Sequence, residues 1–165
     1  MQIVTSTGIL SHPAHVPFTV KLNRGDTYQL RNTNDTPADL SGTVVTADQP
    51  IGVFGSHRCA NIPNTNVFFC DYLVEQMLPT DMWGNNFVAM PLATRPIGDT
   101  FRIMALFTNT TVAINGVAVP GPLHRGQYYE RNAPAPQPMH ITADKPVLVA
   151  QYANSSDLGG PTDSD

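Results

Sequence analysis

The sequence predicts an all-β fold of repeated short antiparallel strands, and three observations carry that expectation. Its apolar runs are brief and rich in Val, Ile, Phe and Thr, while 15 Pro and 12 Gly punctuate them. Charged residues make only 13% of the chain, against roughly 25% in ordinary soluble domains. Stretches with the 3.6-residue periodicity of a long amphipathic helix are missing. At 165 residues the chain can form one domain burying roughly 70% of its unfolded surface. Residues 1–154 therefore read as a single β-rich domain, and 155–165 (SSDLGGPTDSD) as a polar tail or a truncated connection.

Taken in order, the strand candidates are 17–22, 26–31, 42–47, 50–55, 66–70, 86–90, 100–107, 110–114, 117–119, 127–131, 138–142 and 146–152, each bounded by turn-forming residues. Asn115-Gly116 lies between TVAI and VAV, and an Asn-Gly pair tolerates the two positive φ angles of a type I′ turn, so a hairpin is expected there. Asp48-Gln49-Pro50 and Asp144-Lys145-Pro146 each read as a turn with proline opening the next strand. DYLVEQML (71–78) is the one helix candidate: Leu73, Val74, Met77 and Leu78 would share one face, Asp71 and Glu75 would lie together near its start, and Pro79 would stop it.

An internal repeat links the two halves. LNRGDTY (22–28) matches LHRGQYY (123–129), and TADQPIGVFG (46–55) matches TADKPVLVAQ (142–151), so segments 22–55 and 123–151 correspond. A repeat of about 100 residues has room for two four-stranded units, which favours propeller-like blades over the alternative β-sandwich. Repeat units bury their apolar faces against neighbours, so the domain is expected to belong to a longer repeat domain, needing flanking repeats or self-association.

The net charge is −4 and the nine Lys and Arg residues are scattered, which argues against a nucleic-acid partner. No apolar run approaches the roughly 20 residues that span a bilayer, so no membrane insertion is expected within this segment, and any export signal lies outside it. Cys59 and Cys70 flank ten residues that favour turns; a disulfide is the simplest reading, with two unpaired core cysteines as the alternative. Asn34, Asn109 and Asn154 open N-x-S/T sequences, acceptors for glycan only in a eukaryotic secretory host.

Candidate chemistry concentrates in residues 56–84. Cys59 or Cys70 with His57, oriented by Glu75 or Asp71, could in principle form a nucleophile and base, but no strained-turn signature accompanies them. A disulfide would also consume the thiol. The five histidines (12, 15, 57, 124 and 140) show no helical i, i+4 pair and the chain has no C-x-x-C, so neither a metal nor another cofactor is expected. No pair among the thirteen acids stands out for glycoside hydrolysis. The favoured reading is structural, with Trp83 filling the core. A possible contact surface is made by Arg24 and Tyr28 in one repeat copy and Arg125, Tyr128 and Tyr129 in the other.

Four runs carry a family resemblance: Gly42 to His57 (G-T-x-V-x-x-x-x-P-I-x-V-F-x-x-H), Cys59 to Gly84 (C-x10-C-D-x-L-V-E-Q-x-x-P-x-x-x-W-G), FRIMALFTNTTVAING (101–116) and ITADKPVLVAQY (141–152). In these the chain resembles the N-terminal domain of the IgGFc-binding proteins. The resemblance implies a partial domain of a longer one. It also implies a non-enzymatic binding or adhesion module, secreted or on the cell surface, with an extracellular protein or glycan as partner. His57, Asp71, Glu75, Gln76 and Trp83 are its signature residues. A structural spacer within a large surface protein is the second reading, and a secreted hydrolase a remote third.

Overall fold

The structure is a computed structural model that describes residues 11–32, 40–93, 97–133 and 137–156. It comprises two compact units, Met1–Leu40 and Ser41–Asp165. Among the described residues all the strands lie in the second: β1 (Phe54–Ala60), β2 (Asp71–Gln76), β3 (Gly84–Ala89), β4 (Asp99–Ala105), β5 (Val112–Ile114), β6 (Val117–Ala118), β7 (Tyr128–Ala133) and β8 (Met139–Ala153), with one 3-10 turn at Thr80–Met82. The fold is all-β and antiparallel, as the short apolar runs and turn chemistry predict.

β1 and β2 form a two-stranded ribbon, and the other six strands form one sheet ordered β6-β5-β8-β4-β7, with β3 also on β8. The fifteen-residue β8 organises that sheet. Thr142 pairs with both Asn86 and Ala113, and Val147 with both Gly84 and Ala105. β3 therefore lies along one edge of β8, while β4 and β5 follow each other along the opposite edge. These pairings are not consecutive, so the described strands do not divide into four-stranded blades.

Alternation along β4 explains the core. Phe101, Ile103 and Ala105 point inward and are joined by Ile114 of β5 and by Met139, Ile141 and Val147 of β8, all buried. The core is drawn from strands of one sheet that curls over its own apolar face. Fully burying an Ile or Phe side chain stabilises by roughly 1.5–3 kcal/mol. The Asn115-Gly116 hairpin forms as expected, with φ of 50° and 79° and Ile114 opposite Val117; the Asn115 Oδ1 also accepts the His140 N–H at 2.8 Å.

Several expectations are corrected. Residues 71–78 are not a helix: 71–76 are β2, paired with β1 from Gln76 opposite Phe54 to Asp71 opposite Ala60. An eight-residue helix is marginal without packing, and Val74 and Leu78 are exposed here, whereas the strand gains a full ladder from β1. Asp71 and Glu75 accordingly cap nothing.

Asp144-Lys145-Pro146 is not a turn either but the middle of β8, where its neighbour changes from β5 to β4. Proline's missing N–H is tolerated at that changeover, and the Pro146 carbonyl still accepts from the Leu106 N–H. Segments 17–22, 26–31, 42–47 and 66–70 are not strands. Trp83 is only half-buried and lies outside the core cluster; its indole N–H donates to the Leu78 carbonyl at 3.2 Å and fixes the 3-10 turn. Asn34 and the tail from Asp157 onward lie outside the described residues.

The matching L-x-R-G sequences make the same turn in each unit. The Asp26 N–H donates to the Asn23 carbonyl while the Asp26 carboxylate accepts the Asn23 N–H at 2.8 Å. Likewise, the Gln127 N–H donates to the His124 carbonyl, and its side-chain oxygen accepts the His124 N–H at 2.9 Å. Gly25 and Gly126, with φ of 89° and 78°, take the position that requires positive φ in a type II turn.

Candidate binding surface

The Cys59–Cys70 disulfide forms, with a Cα–Cα distance of 4.9 Å, inside the range ordinary disulfides adopt. Neither sulfur is left as a nucleophile. The bond closes the far end of the β1–β2 ribbon around a loop that is internally tied: the Asn61 side-chain amide donates to the Val67 carbonyl at 3.0 Å, and the Val67 N–H donates to the Asn64 carbonyl. Ser155, just past β8, clamps it from outside. Its N–H donates to the Ile62 carbonyl at 2.8 Å and its hydroxyl to the Phe69 carbonyl at 3.0 Å.

This clamping sets which side chains face solvent. Val67 turns in and is buried, whereas Phe68 is 83% exposed and meets Phe69 edge to face at 5.2 Å. Alternation in the ribbon puts Phe54 of β1 on the same face as Tyr72 and Val74 of β2, and all three are exposed. Exposed apolar side chains held on a fixed scaffold are the usual mark of an interaction site. Phe68 and Phe69 stand out in the sequence only as an FF pair before Cys70; their exposure depends on the clamp.

Four of the five signature residues, all but Trp83, line the same ribbon. His57 sits opposite Leu73, with its Nδ1 accepting the Cys59 N–H at 3.1 Å. Glu75 sits opposite Gly55, Gln76 opposite Phe54 and Asp71 opposite Ala60. Among the described residues no cluster of three or more His, Cys, Asp and Glu side chains is arranged to hold a metal ion.

The expected tyrosine face is split. Tyr129 packs against the core, while Tyr128 points to the other side of β7. There the Arg102 guanidinium lies 4.0 Å from the centre of the Tyr128 ring and 5.6 Å from that of Tyr152. Its Nη2 and Nε donate to the Glu130 carboxylate at 2.8 and 3.1 Å, and its Nη1 to the Ser41 hydroxyl at 3.3 Å. Burial pulls the Arg102 pKa down, but the Glu130 hydrogen bond and the fields of Tyr152, Tyr128 and Glu130 outweigh it and hold the pKa above its ordinary value. Arg102, Glu130 and Tyr152 were not singled out from the sequence, because only strand pairing brings them together. In the first unit the Tyr28 hydroxyl is hydrogen-bonded to His12 Nε2 at 3.1 Å, and His12 stacks on Phe18 at 3.6 Å. Arg24 and Arg125 occupy the central position preceding glycine in their respective turns.

The class the structure defines is a disulfide-closed all-β unit with exposed aromatic side chains on a two-stranded ribbon. The family follows from comparison. The family model described as IgGFc binding protein matches residues 1–165, and the chain belongs to that family. The human IgGFc-binding protein is 29% identical over 146 residues, covering 88% of this chain and 3% of the human protein. The chain thus spans a small fraction of that relative's length. No solved structure matches. No helix among the described residues is long and apolar enough to cross a membrane.

Proposed function

We propose that this chain is an extracellular adhesion module that takes a protein ligand on the aromatic ribbon, with Phe68 and Phe69 at the disulfide-closed end and Phe54, Tyr72 and Val74 along its face. The observation that carries this reading is the contrast within one loop. Val67 is 5% exposed and Phe68 83%, on a backbone fixed by Asn61, Ser155 and the disulfide. Exposing a large aromatic costs hydrophobic free energy unless a partner covers it, and rigid aromatics lose little conformational entropy on binding.

The name of the human relative makes the Fc region of IgG the first ligand to try. A disulfide suits a secreted or cell-surface location, and the binding role suggested by the family favours a module without a reactive centre. The signature residues His57, Asp71, Glu75 and Gln76 would then hold the ribbon's pairing and flank its aromatic face, while Trp83 fixes the turn that follows.

The test is surface plasmon resonance on immobilised Fc, a mucin and a glycan array, comparing the parent chain with Phe68→Ala/Phe69→Ala. A captured ligand whose affinity falls tenfold or more in the variant supports the reading. Equal affinity places the site elsewhere, and no binding to any of the three removes Fc, mucin and the arrayed glycans as ligands.

A further inference from the structure

β4 and β5 follow one another along the same edge of β8, and the join between them bulges. Ala105 lies opposite Val147 and Val112 opposite Ala143, so six residues (106–111) span what β8 covers with three (144–146). The surplus is thrown out of the sheet. Phe107, Thr108 and Asn109 are all exposed, Phe107 by 51%.

The bulge is nevertheless tied down. Ahead of it the Leu106 N–H donates to the Pro146 carbonyl at 3.2 Å, and behind it Thr110 exchanges backbone bonds with Leu123 at 2.9 and 2.8 Å. The Thr110 hydroxyl donates to the Phe107 carbonyl at 2.7 Å, and the Asp144 carboxylate accepts the Thr111 N–H at 2.7 Å. The Lys145 ammonium donates to the carbonyls of Thr108 and Asn109. A large aromatic is thus held in water on a fixed backbone, at a hydrophobic cost that a cover would recover.

The sequence of the bulge says what the cover is. Phe-Thr-Asn-Thr-Thr (107–111) is an N-x-T glycan acceptor with an aromatic residue two places ahead of the asparagine. Asn109 takes a φ of 56°, which asparagine tolerates. No hydrogen bond to another described residue uses its side-chain amide or the Thr111 hydroxyl. Asn154, by contrast, is buried and spends its amide on Gly98 and Asn132. Cα atoms two residues apart lie at most about 7 Å from each other, a span that an asparagine side chain and one pyranose ring cover. One face of N-acetylglucosamine presents a row of axial C–H groups, which suits the negative face of an aromatic ring.

We infer that Asn109 carries an N-linked glycan whose first N-acetylglucosamine lies on the Phe107 ring and holds the bulge in place. The donor is a lipid diphosphate-linked oligosaccharide of a eukaryotic secretory pathway. The Asn109 Nδ2 bonds to the sugar C1 as the C1–O bond to the diphosphate breaks; the lipid diphosphate leaves with that electron pair, and Nδ2 gives up one proton to the transferring enzyme. The bulge belongs to the large sheet, so its glycan requires secretion but no particular ligand on the aromatic ribbon.

The test produces the full chain behind a secretion leader in animal cells that make only high-mannose glycans, which an endoglycosidase then trims to a single N-acetylglucosamine. Peptide mass spectrometry is expected to find Asn109 occupied. Nuclear Overhauser contacts between the sugar and the Phe107 ring are expected, with upfield shifts of the axial sugar protons. The trimmed chain should melt about 2–4 °C above its Asn109→Gln variant, and a Phe107→Ala background should abolish that increment. Each increment compares glycosylated and bare protein in one background, so any stability lost to Phe107→Ala itself cancels. Asn109 left bare, a sugar with no contact to Phe107, or an equal increment in the Phe107→Ala background overturns the proposal.

Discussion

Gly42 and Gly126 meet backbone to backbone: a Cβ on Gly42 would lie 2.8 Å from the Gly126 carbonyl oxygen, and one on Gly126 would lie 3.0 Å from the Gly42 Cα. Both have positive φ, 84° and 78°, so each glycine is required twice over, by conformation and by contact. Gly42 opens the segment leading to the ribbon and Gly126 closes the turn before β7, so the contact ties the first strand copy's approach to the large sheet.

This contact makes a stability prediction. Gly42→Ala and Gly126→Ala each destabilise by about 2 kcal/mol or more, adding a clash to the roughly 1 kcal/mol of a non-glycine residue at positive φ. Gly116→Ala is the control: its φ is 79° but nothing lies within 4 Å of its Cβ, so only the conformational part is lost. Urea unfolding of the three variants separates the two contributions.

The disulfide predicts a thiol count and a stability change. Native oxidised protein should titrate no free thiol without reductant. Replacing both cysteines, Cys59→Ser/Cys70→Ser, costs about 3 kcal/mol in the chain-entropy account for a loop of this size. Thermal melts with and without reductant measure it, and the reduced loop should lose the fixed edge-to-face contact of Phe68 and Phe69, visible in near-ultraviolet circular dichroism.

Asn154 is 2% exposed. Its carbonyl oxygen accepts the Thr100 hydroxyl at 2.7 Å, and its amide donates to the Gly98 carbonyl at 3.0 Å and to the Asn132 Oδ1 at 3.1 Å. Asn154→Ala leaves buried groups unsatisfied and should cost about 2–4 kcal/mol, at roughly 1–3 kcal/mol for each one left unpaired. The same burial leaves no room for a sugar, whereas Asn109 is exposed. Folded protein secreted from a eukaryotic host is expected to carry glycan at Asn109 and none at Asn154, read by peptide mass spectrometry.

Arg102 and Glu130 should couple weakly. Their side chains are 20% and 34% exposed, and pairs open to solvent contribute about 1 kcal/mol or less. A double-mutant cycle of Arg102→Ala with Glu130→Gln should return that magnitude, decreasing with salt. Arg102→Lys keeps the charge and loses the planar stacking on Tyr128, so it should behave closer to alanine than to arginine.

Much of the large sheet was legible locally. The predicted segments 86–90, 100–107, 110–114, 117–119 and 127–131 each overlap a strand of the structure, because their β-branched alternation is read the same way wherever the strand ends up. Residues 42–47 and 66–70 have the same composition and are not strands. A strand exists only where another strand runs beside it, and among the described residues no strand pairs with either segment. The site was legible in part: the disulfide could be read from two cysteines and a turn-rich spacer, while the aromatic face could not, because it requires knowing that 71–76 lies beside β1.

What the sequence determined by itself is therefore what is local: strand-prone composition, the positive-φ turns at Gly25, Gly126 and Asn115-Gly116, and an internal repeat whose two turns share one hydrogen-bond pattern. Tertiary structure decided the rest. It made β2 a strand instead of a helix, fused two expected strands into β8, turned Tyr129 inward and Tyr128 outward, and left Phe68 in solvent. Each of these depends on what another part of the chain places alongside, and the free energy of a backbone amide or an apolar side chain is set by that neighbour, which local sequence does not specify.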